Sequence, residues 1–98
     1  MVLADFIKKF KSEVDQADWE MLKPHHDRDA LYRVSSKADM FEIAAHLAMD
    51  NVVEVKSLLD SGKLEKSSPE DEERFGKDKN RFFANFVVVQ PYVLFQPY

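Results

Sequence analysis

The sequence predicts an α+β fold, with three main helices packed on a small antiparallel sheet in a winged-helix-like order. Apolar residues recur at three- and four-residue steps along about the first sixty positions, which is typical of amphipathic helices. The C-terminal segment is instead uncharged and rich in β-branched and aromatic residues, which predicts strands. The chain of 98 residues has the length of one domain, so we expect residues 1–98 to form a single unit.

The composition excludes several classes of function. The chain has no cysteine, which excludes thiolate catalysis and cysteine-ligated zinc. It has two glycines, too few for a P-loop or a dinucleotide fingerprint. A net charge of −4 disfavours nucleic acid as a partner. We find no signal peptide and no uncharged stretch that could span a bilayer, so we expect a cytoplasmic protein that does not associate with membranes.

One apolar stripe predicts a first helix that ends or kinks near Pro24, because proline disfavours helical geometry at the preceding residue. Within this region Asp18 is a candidate cap for a fresh short turn. The polar run 25–29 is expected to form a loop or a single turn. The predicted stripe consists of Leu3, Phe6, Ile7, Phe10, Val14, Ala17 and Met21.

A short strand is predicted at 30–34, followed by two further helices. Ser36 or Asp39 is expected to cap the second helix, and Asp50 the third. Gly62 follows the third helix, where a left-handed residue commonly ends a helix. The expected inner face of the third helix consists of Val52, Val55, Leu58 and Leu59.

The charged stretch 63–81 is predicted to contain a helix of about two turns. Ser68 and Pro69 are a strong start signal, since a capping hydroxyl precedes a proline and three carboxylates. Gly76 is expected to limit this helix.

The uncharged segment 82–98 is apolar at successive positions rather than at alternate ones, so something must cover both faces of the strand that it forms. Two explanations are open. Either the helices of the chain cover both faces, or a partner covers one of them, a homodimer being the simplest case. Pro91 cannot donate to a ladder and indicates a bend, a bulge or an edge. The candidate interface residues are Phe82, Phe86, Val88, Tyr92 and Phe95.

Two segments resemble a small bacterial family of unknown function. One is Trp19-x-x-Leu22-x-Pro24-His25-x-x-Arg28, and the other is the run VVVQPYVLFQ at 87–96. Between them the resemblance also includes Glu42-Ile43, Asp50, Val55 and Gly62-x-Leu64. The resemblance covers about 15–96 and implies no activity, substrate or cofactor. It makes His25 and Arg28 the candidate functional polar residues.

Two histidine clusters invite a chemical interpretation. His25, His26, Asp27 and Asp29 offer metal-ligating atoms, but adjacent histidines diverge on any regular element, so a site would need a third ligand brought by folding. A solvated turn is the simpler interpretation, and we expect no metal and no cofactor. Glu42 and His46 stand four apart on one helical face, with Asp50 four further along, and such a row could bind a cation or hold a general base. An ordinary ion pair is the simpler interpretation.

The sequence as a whole favours a small non-enzymatic interaction or regulatory module that self-associates through its C-terminal strand. The partner is expected to be a second copy or another protein. The alternative is a winged-helix nucleic-acid binder, in which the third helix enters the major groove. Its basic residues would be Lys56, Lys77, Lys79 and Arg81.

Overall fold

A computed structural model describes residues 2–77 and 83–97, and in these ranges five helices and five strands occur. Their bounds, in chain order, are α1 Leu3–Glu13, β1 Asp15–Ala17, α2 Trp19–Asp27, β2 Leu31–Val34, α3 Met40–Ala48, α4 Val52–Asp60, β3 Leu64–Lys66, α5 Pro69–Gly76, β4 Ala84–Val89 and β5 Tyr92–Pro97.

The strands form one sheet in the order β1-β4-β5-β2-β3. β2 and β5 run parallel, with Tyr32 opposite Leu94, and the other neighbours are antiparallel. The α+β class is therefore confirmed, but the sheet is larger than predicted and mixed rather than antiparallel. The described residues contain five helices instead of three main ones, and the winged-helix-like arrangement is not confirmed. β2 and β5 lie far apart in the sequence, so no local signal indicates their pairing.

Helices cover both faces of the sheet. On one face, Phe10 of α1 and Ile43 of α3 pack with Leu94 of β5 in one core cluster. On the other face, residues of α2 and α5 pack with Val93 and Phe95 of β5 in a second cluster. Successive residues of β5 thus enter opposite cores, as strand geometry requires. Of the two explanations for the apolar C-terminal segment, the structure shows the first, because the chain's own helices cover both faces.

The predicted first helix is divided in two, so that prediction was wrong. α1 ends at Glu13 and Val14 is extended, after which β1 pairs with β4 and buries Ala17. α2 then begins after Asp18, whose carboxylate accepts a hydrogen bond from the Met21 N–H at 3.0 Å, as predicted. Periodicity failed here because strand pairing with a distant segment outweighed it.

The segment 25–29 was predicted to form a loop or a single turn, and the structure instead continues α2 through His25, His26 and Asp27. Pro24 lies inside this helix and removes a backbone donor. Burial of Trp19 and Leu22, at 3% and 1% exposure, stabilises the helix against that loss. The chain leaves α2 at Asp29, which has a left-handed φ of 61°.

Three other capping predictions are confirmed, and one is wrong. Asp39 caps α3 by accepting from the Phe41 N–H at 2.9 Å. The Ser68 hydroxyl caps α5 by accepting from the Asp71 N–H at 3.3 Å, and the Ser68 N–H donates to the Asp71 carboxylate at 3.0 Å. Gly62 ends the α4 region with φ at 77°. Asp50 does not cap α4, because it adopts a left-handed φ of 56° and Asn51 takes the cap position.

Candidate functional site

α4 presents an apolar face to solvent. None of its nine residues is buried, and the exposed fractions of Val52, Val53 and Leu59 are 68%, 78% and 43%. Val55 and Leu58 are half-buried and pack against the first core cluster. The inner face predicted for this helix is therefore only half correct, because Val52 and Leu59 face water. The left-handed turn at Asp50 directs α4 along the end of α3 and β3, which leaves one flank uncovered.

Tyr92, at the start of β5, borders this helix. Its ring meets the Tyr32 ring edge-on with centroids 5.5 Å apart, and 37% of the residue is exposed. A groove of about 190 Å³ lies between the two tyrosines and α4. An adjoining cleft of about 410 Å³ continues along α4. We call Val52, Val53, Leu59 and Tyr92 the α4–Tyr92 surface.

The rim of this surface carries charges of both signs. Asp50 and Lys56 line the cleft together with Val52 and Tyr92, and both charged residues are exposed. An apolar centre bordered by exposed charges is typical of a protein contact surface.

The structure separates the predicted interface residues. Phe82 lies outside the described residues. Phe95 is completely buried in the second core cluster and Phe86 packs partly against it, so Phe95 cannot belong to a contact surface. Val88 and Tyr92 are exposed, at 44% and 37%.

β5 hydrogen-bonds to β4 on one side and to β2 on the other, so neither of its edges can pair with a strand of a second chain. Contact through the C-terminal segment stays a prediction for the exposed side chains of Val88 and Tyr92. Tyr92 is the part of β5 that remains available to a partner, since the three residues after it are buried in the two cores.

His25 and Arg28 connect the end of α2 to the hairpin that carries Tyr92. The Arg28 guanidinium donates to the Pro91 carbonyl oxygen at 3.2 Å and contacts His25 Nδ1 at 2.8 Å. The Nδ1 atom must accept in this pair, because arginine has only donors. Burial first, and then the Arg28 charge, lower the pKa of His25. The pair thus anchors the turn between β4 and β5, in which the Gln90–Pro91 bond is cis.

A polar cluster lies between α2 and α5. His26 Nε2 is 3.2 Å from a Glu72 carboxylate oxygen, and His26 Nδ1 is 2.7 Å from the Ser67 hydroxyl. Lys23 Nζ lies 3.0 Å from an Asp27 oxygen, and this hydrogen bond is the main reason that the Lys23 pKa is raised. Glu72 could not be identified from sequence, because it stands 46 positions from His26.

The predicted pair of Glu42 and His46 is present, but its two side chains are too far apart for a hydrogen bond. His46 Nε2 is 3.7 Å from a Glu42 carboxylate oxygen, and the Asn51 amide donates to His46 Nδ1 at 3.3 Å. The Asn51 hydrogen bond joins the end of α3 to the residue before α4.

The remaining predictions concern partners. Lys56 and Lys77 are exposed, whereas Lys79 and Arg81 lie outside the described residues. Within residues 2–77 and 83–97, no helix combines the length and the apolar character needed to cross a membrane.

Comparisons with known proteins give a family and a fold. Residues 5–97 match the profile of a family described as protein of unknown function (DUF2288), which confirms the resemblance to a family of unknown function. The chain is similar to PA1075 from Pseudomonas aeruginosa, known from an NMR solution structure, at 29% sequence identity and a TM-score of 0.78. The similarity covers 96% of this chain and 82% of that one. No curated protein matches the chain.

Proposed function

The chain belongs to the DUF2288 family, and we propose that it is a small non-enzymatic interaction module that pairs with a second copy of itself. The contact is the α4–Tyr92 surface. The observation that carries the proposal is α4, a helix with five apolar residues among nine and none of them buried. A surface helix normally turns its apolar stripe toward the core.

The exposed area suits a weak dimer. Complete burial of one valine or leucine side chain contributes about 1.5–3 kcal/mol, so the three exposed residues of α4 can together contribute several kcal/mol. Association costs at least about 4 kcal/mol in lost freedom of motion. Nine residues of helix extend about 13 Å, so the contact is at the small end of stable interfaces. The surplus after that cost is about 5 kcal/mol, so we expect a dissociation constant of about 0.1 mM.

The charges favour a second copy over a partner of strongly basic or acidic character. In a two-fold contact, if one residue of the first copy contacts a second residue of the other copy, the reverse contact also forms. Asp50 of one copy can then face Lys56 of the second, and the same pair recurs on the other side of the axis. Both charge pairs in this arrangement are attractive, so they stabilise self-association. A partner with charges of one sign would instead be repelled by either Asp50 or Lys56.

The test is sedimentation velocity over about 10 μM to 1 mM protein. We expect the wild-type chain to dimerise as concentration rises. The Val52→Asp variant should remain monomeric, because it places a charge in the apolar contact. Val52 lies in the first turn of α4, where a carboxylate suits the helix dipole, so the variant should fold.

The control is Met21→Asp, since Met21 is 56% exposed in the first turns of α2, on the opposite face of the sheet. It should dimerise like the wild type. A wild-type chain that stays monomeric throughout contradicts the proposal, and so does equal dimerisation of Val52→Asp and wild type.

The nucleic-acid alternative predicts a different result. Binding to duplex DNA would be strongest at low salt, because phosphate contacts release counterions. The net charge of −4 and the acidic neighbours of Lys56 on α4, Glu54 and Asp60, count against it. A salt-sensitive mobility shift with monomeric protein would favour that alternative. Together with self-association, we propose that the chain is located in the cytoplasm, as the sequence predicts.

A further inference from the structure

We propose that His26, Asp27 and Glu72 form a binding site for a divalent transition-metal ion, for which zinc is the best match. The proposal is independent of self-association, because these residues lie on α2 and α5, on the sheet face opposite α4.

The geometry of the three ligands is close to what an ion requires. One ligating atom from each residue can be chosen so that all three lie within 4.8 Å of one another. Ligand atoms around tetrahedral zinc, each about 2.0 Å from the ion, lie roughly 3.3 Å apart. The His26 to Glu72 separation of 3.2 Å already meets this value. Asp27 is exposed, so a small rotation of its side chain completes the set.

His26 is oriented in the manner of a metal ligand rather than of a solvated loop histidine. Its Nδ1 atom is 2.7 Å from the hydroxyl of Ser67, a residue that is 8% exposed. The Trp19 ring packs on the imidazole with centroids 5.3 Å apart. A hydroxyl can accept as well as donate, so Ser67 can hold the Nδ1 proton while Nε2 binds the ion.

The site opens on solvent through a cleft of about 490 Å³ between α2 and α5. The carboxylates of Asp27 and Glu72 line this cleft beside Trp19 and Pro24. An ion held by three protein atoms can therefore complete its coordination with water from the cleft. One imidazole and two carboxylates suit zinc better than calcium or magnesium, which prefer oxygen ligands alone.

Lys23 competes for the same position. Its ammonium group lies 3.0 Å from an Asp27 oxygen and 3.7 Å from a Glu72 oxygen, where it neutralises both carboxylates. The side chain is 47% exposed, so an arriving ion can displace the ammonium into solvent. This competition distinguishes a metal site from a simple salt-bridge network, because removal of the Lys23 ammonium should tighten zinc binding only if the three residues bind the ion.

The chain is titrated with zinc chloride, and calorimetry measures the affinity and the number of ions bound. The fluorescence of Trp19, the single tryptophan, reports the same titration at the site. Cobalt is the second probe, since its absorption spectrum reports coordination. We expect one ion per chain. Glu72→Gln should weaken binding by about tenfold or more. Lys23→Met should tighten it several-fold, because it removes the competing cation and keeps the aliphatic stem.

Glu73→Gln is the matched control, as Glu73 is the next residue on α5 and pairs with Lys77 at 3.0 Å instead. It should bind zinc like the wild type. The proposal is overturned if neither wild type nor Lys23→Met binds zinc below about 1 mM. It is equally overturned if Glu72→Gln binds as tightly as Glu73→Gln, or if Lys23→Met binds no more tightly than wild type.

Discussion

Replacement of Arg28 by methionine tests the anchor between α2 and the β4–β5 turn. The change removes the hydrogen bonds to the Pro91 carbonyl and to His25 Nδ1, and it keeps most of the side-chain stem. Hydrogen bonds to charged groups contribute about 1.5–3 kcal/mol each when shielded from water. Arg28 is exposed, and solvent reduces that contribution, so we expect a loss of about 1 kcal/mol in the free energy of unfolding.

The assay combines urea denaturation with amide hydrogen exchange. Exchange should accelerate most at the turn 89–92, because the variant frees the turn without altering the core around Phe95. Lys8→Met, at an exposed position of α1, is the control and should change neither measurement. A variant whose turn exchanges as slowly as that of the wild type would show that the guanidinium does not anchor the hairpin.

The same pair makes stability depend on pH. Burial and the Arg28 charge lower the pKa of His25 below its ordinary value of 6.5. The native chain therefore binds fewer protons there than the unfolded chain, so the stability contributed by neutral His25 is complete above about pH 6.5. It is lost as pH falls through the lowered native pKa.

In Arg28→Met the smaller of the two causes disappears, so the His25 pKa should rise but remain below 6.5. Titration followed by NMR of the imidazole measures both values. An unchanged pKa in the variant would refute the assignment of Arg28 as its partner.

Two further variants test the supports of the fold. Asp71→Asn should lower the free energy of unfolding by about 2 kcal/mol in a denaturation experiment, because Asp71 is 3% exposed, pairs with Arg33 of β2 and completes the α5 cap. The control Glu73→Gln breaks only an exposed pair and should lower it by less than about 0.5 kcal/mol. Equal losses in the two variants would contradict the role assigned to Asp71. Gly62→Ala should lower the melting temperature by an amount equivalent to about 1 kcal/mol, because φ at 77° is left-handed, and an unchanged melting temperature would be inconsistent with that strain.

Local chemistry was predictable from the sequence where the relevant partners are neighbours in the chain. Asp39, Ser68 and Gly62 all act within a few residues of themselves, so their roles in capping follow from residue type and position. The extended strand at 31–34 also follows from local composition. Each of these signals depends on the backbone of adjacent residues, which the sequence order already fixes.

Long-range pairing was not predictable in the same way. β1 exists because Asp15, Gln16 and Ala17 pair with β4, about seventy residues later. The helical spacing of Val14 and Ala17 gives no sign of that pairing. His26 meets Glu72 for a similar reason, since α2 and α5 pack together on one face of the sheet. The spacing of apolar residues indicates which element a segment could form by itself, and pairing with a distant strand determines which element it forms in the folded chain.

The uncharged C-terminal segment was correctly identified as unusually apolar, but the most exposed apolar surface lies on α4 instead. The apolar residues of the segment do require cover on both faces, and α3 with α1 supplies it on one side, α2 with α5 on the other. These helices use their apolar stripes to bury β4 and β5 in the middle of the sheet. α4 lies beyond the centre of that sheet, against α3 and β3, and only half of its apolar stripe finds cover. The hypothesis of self-association therefore passes from Phe95, which is fully enclosed, to the flank of α4 beside Tyr92.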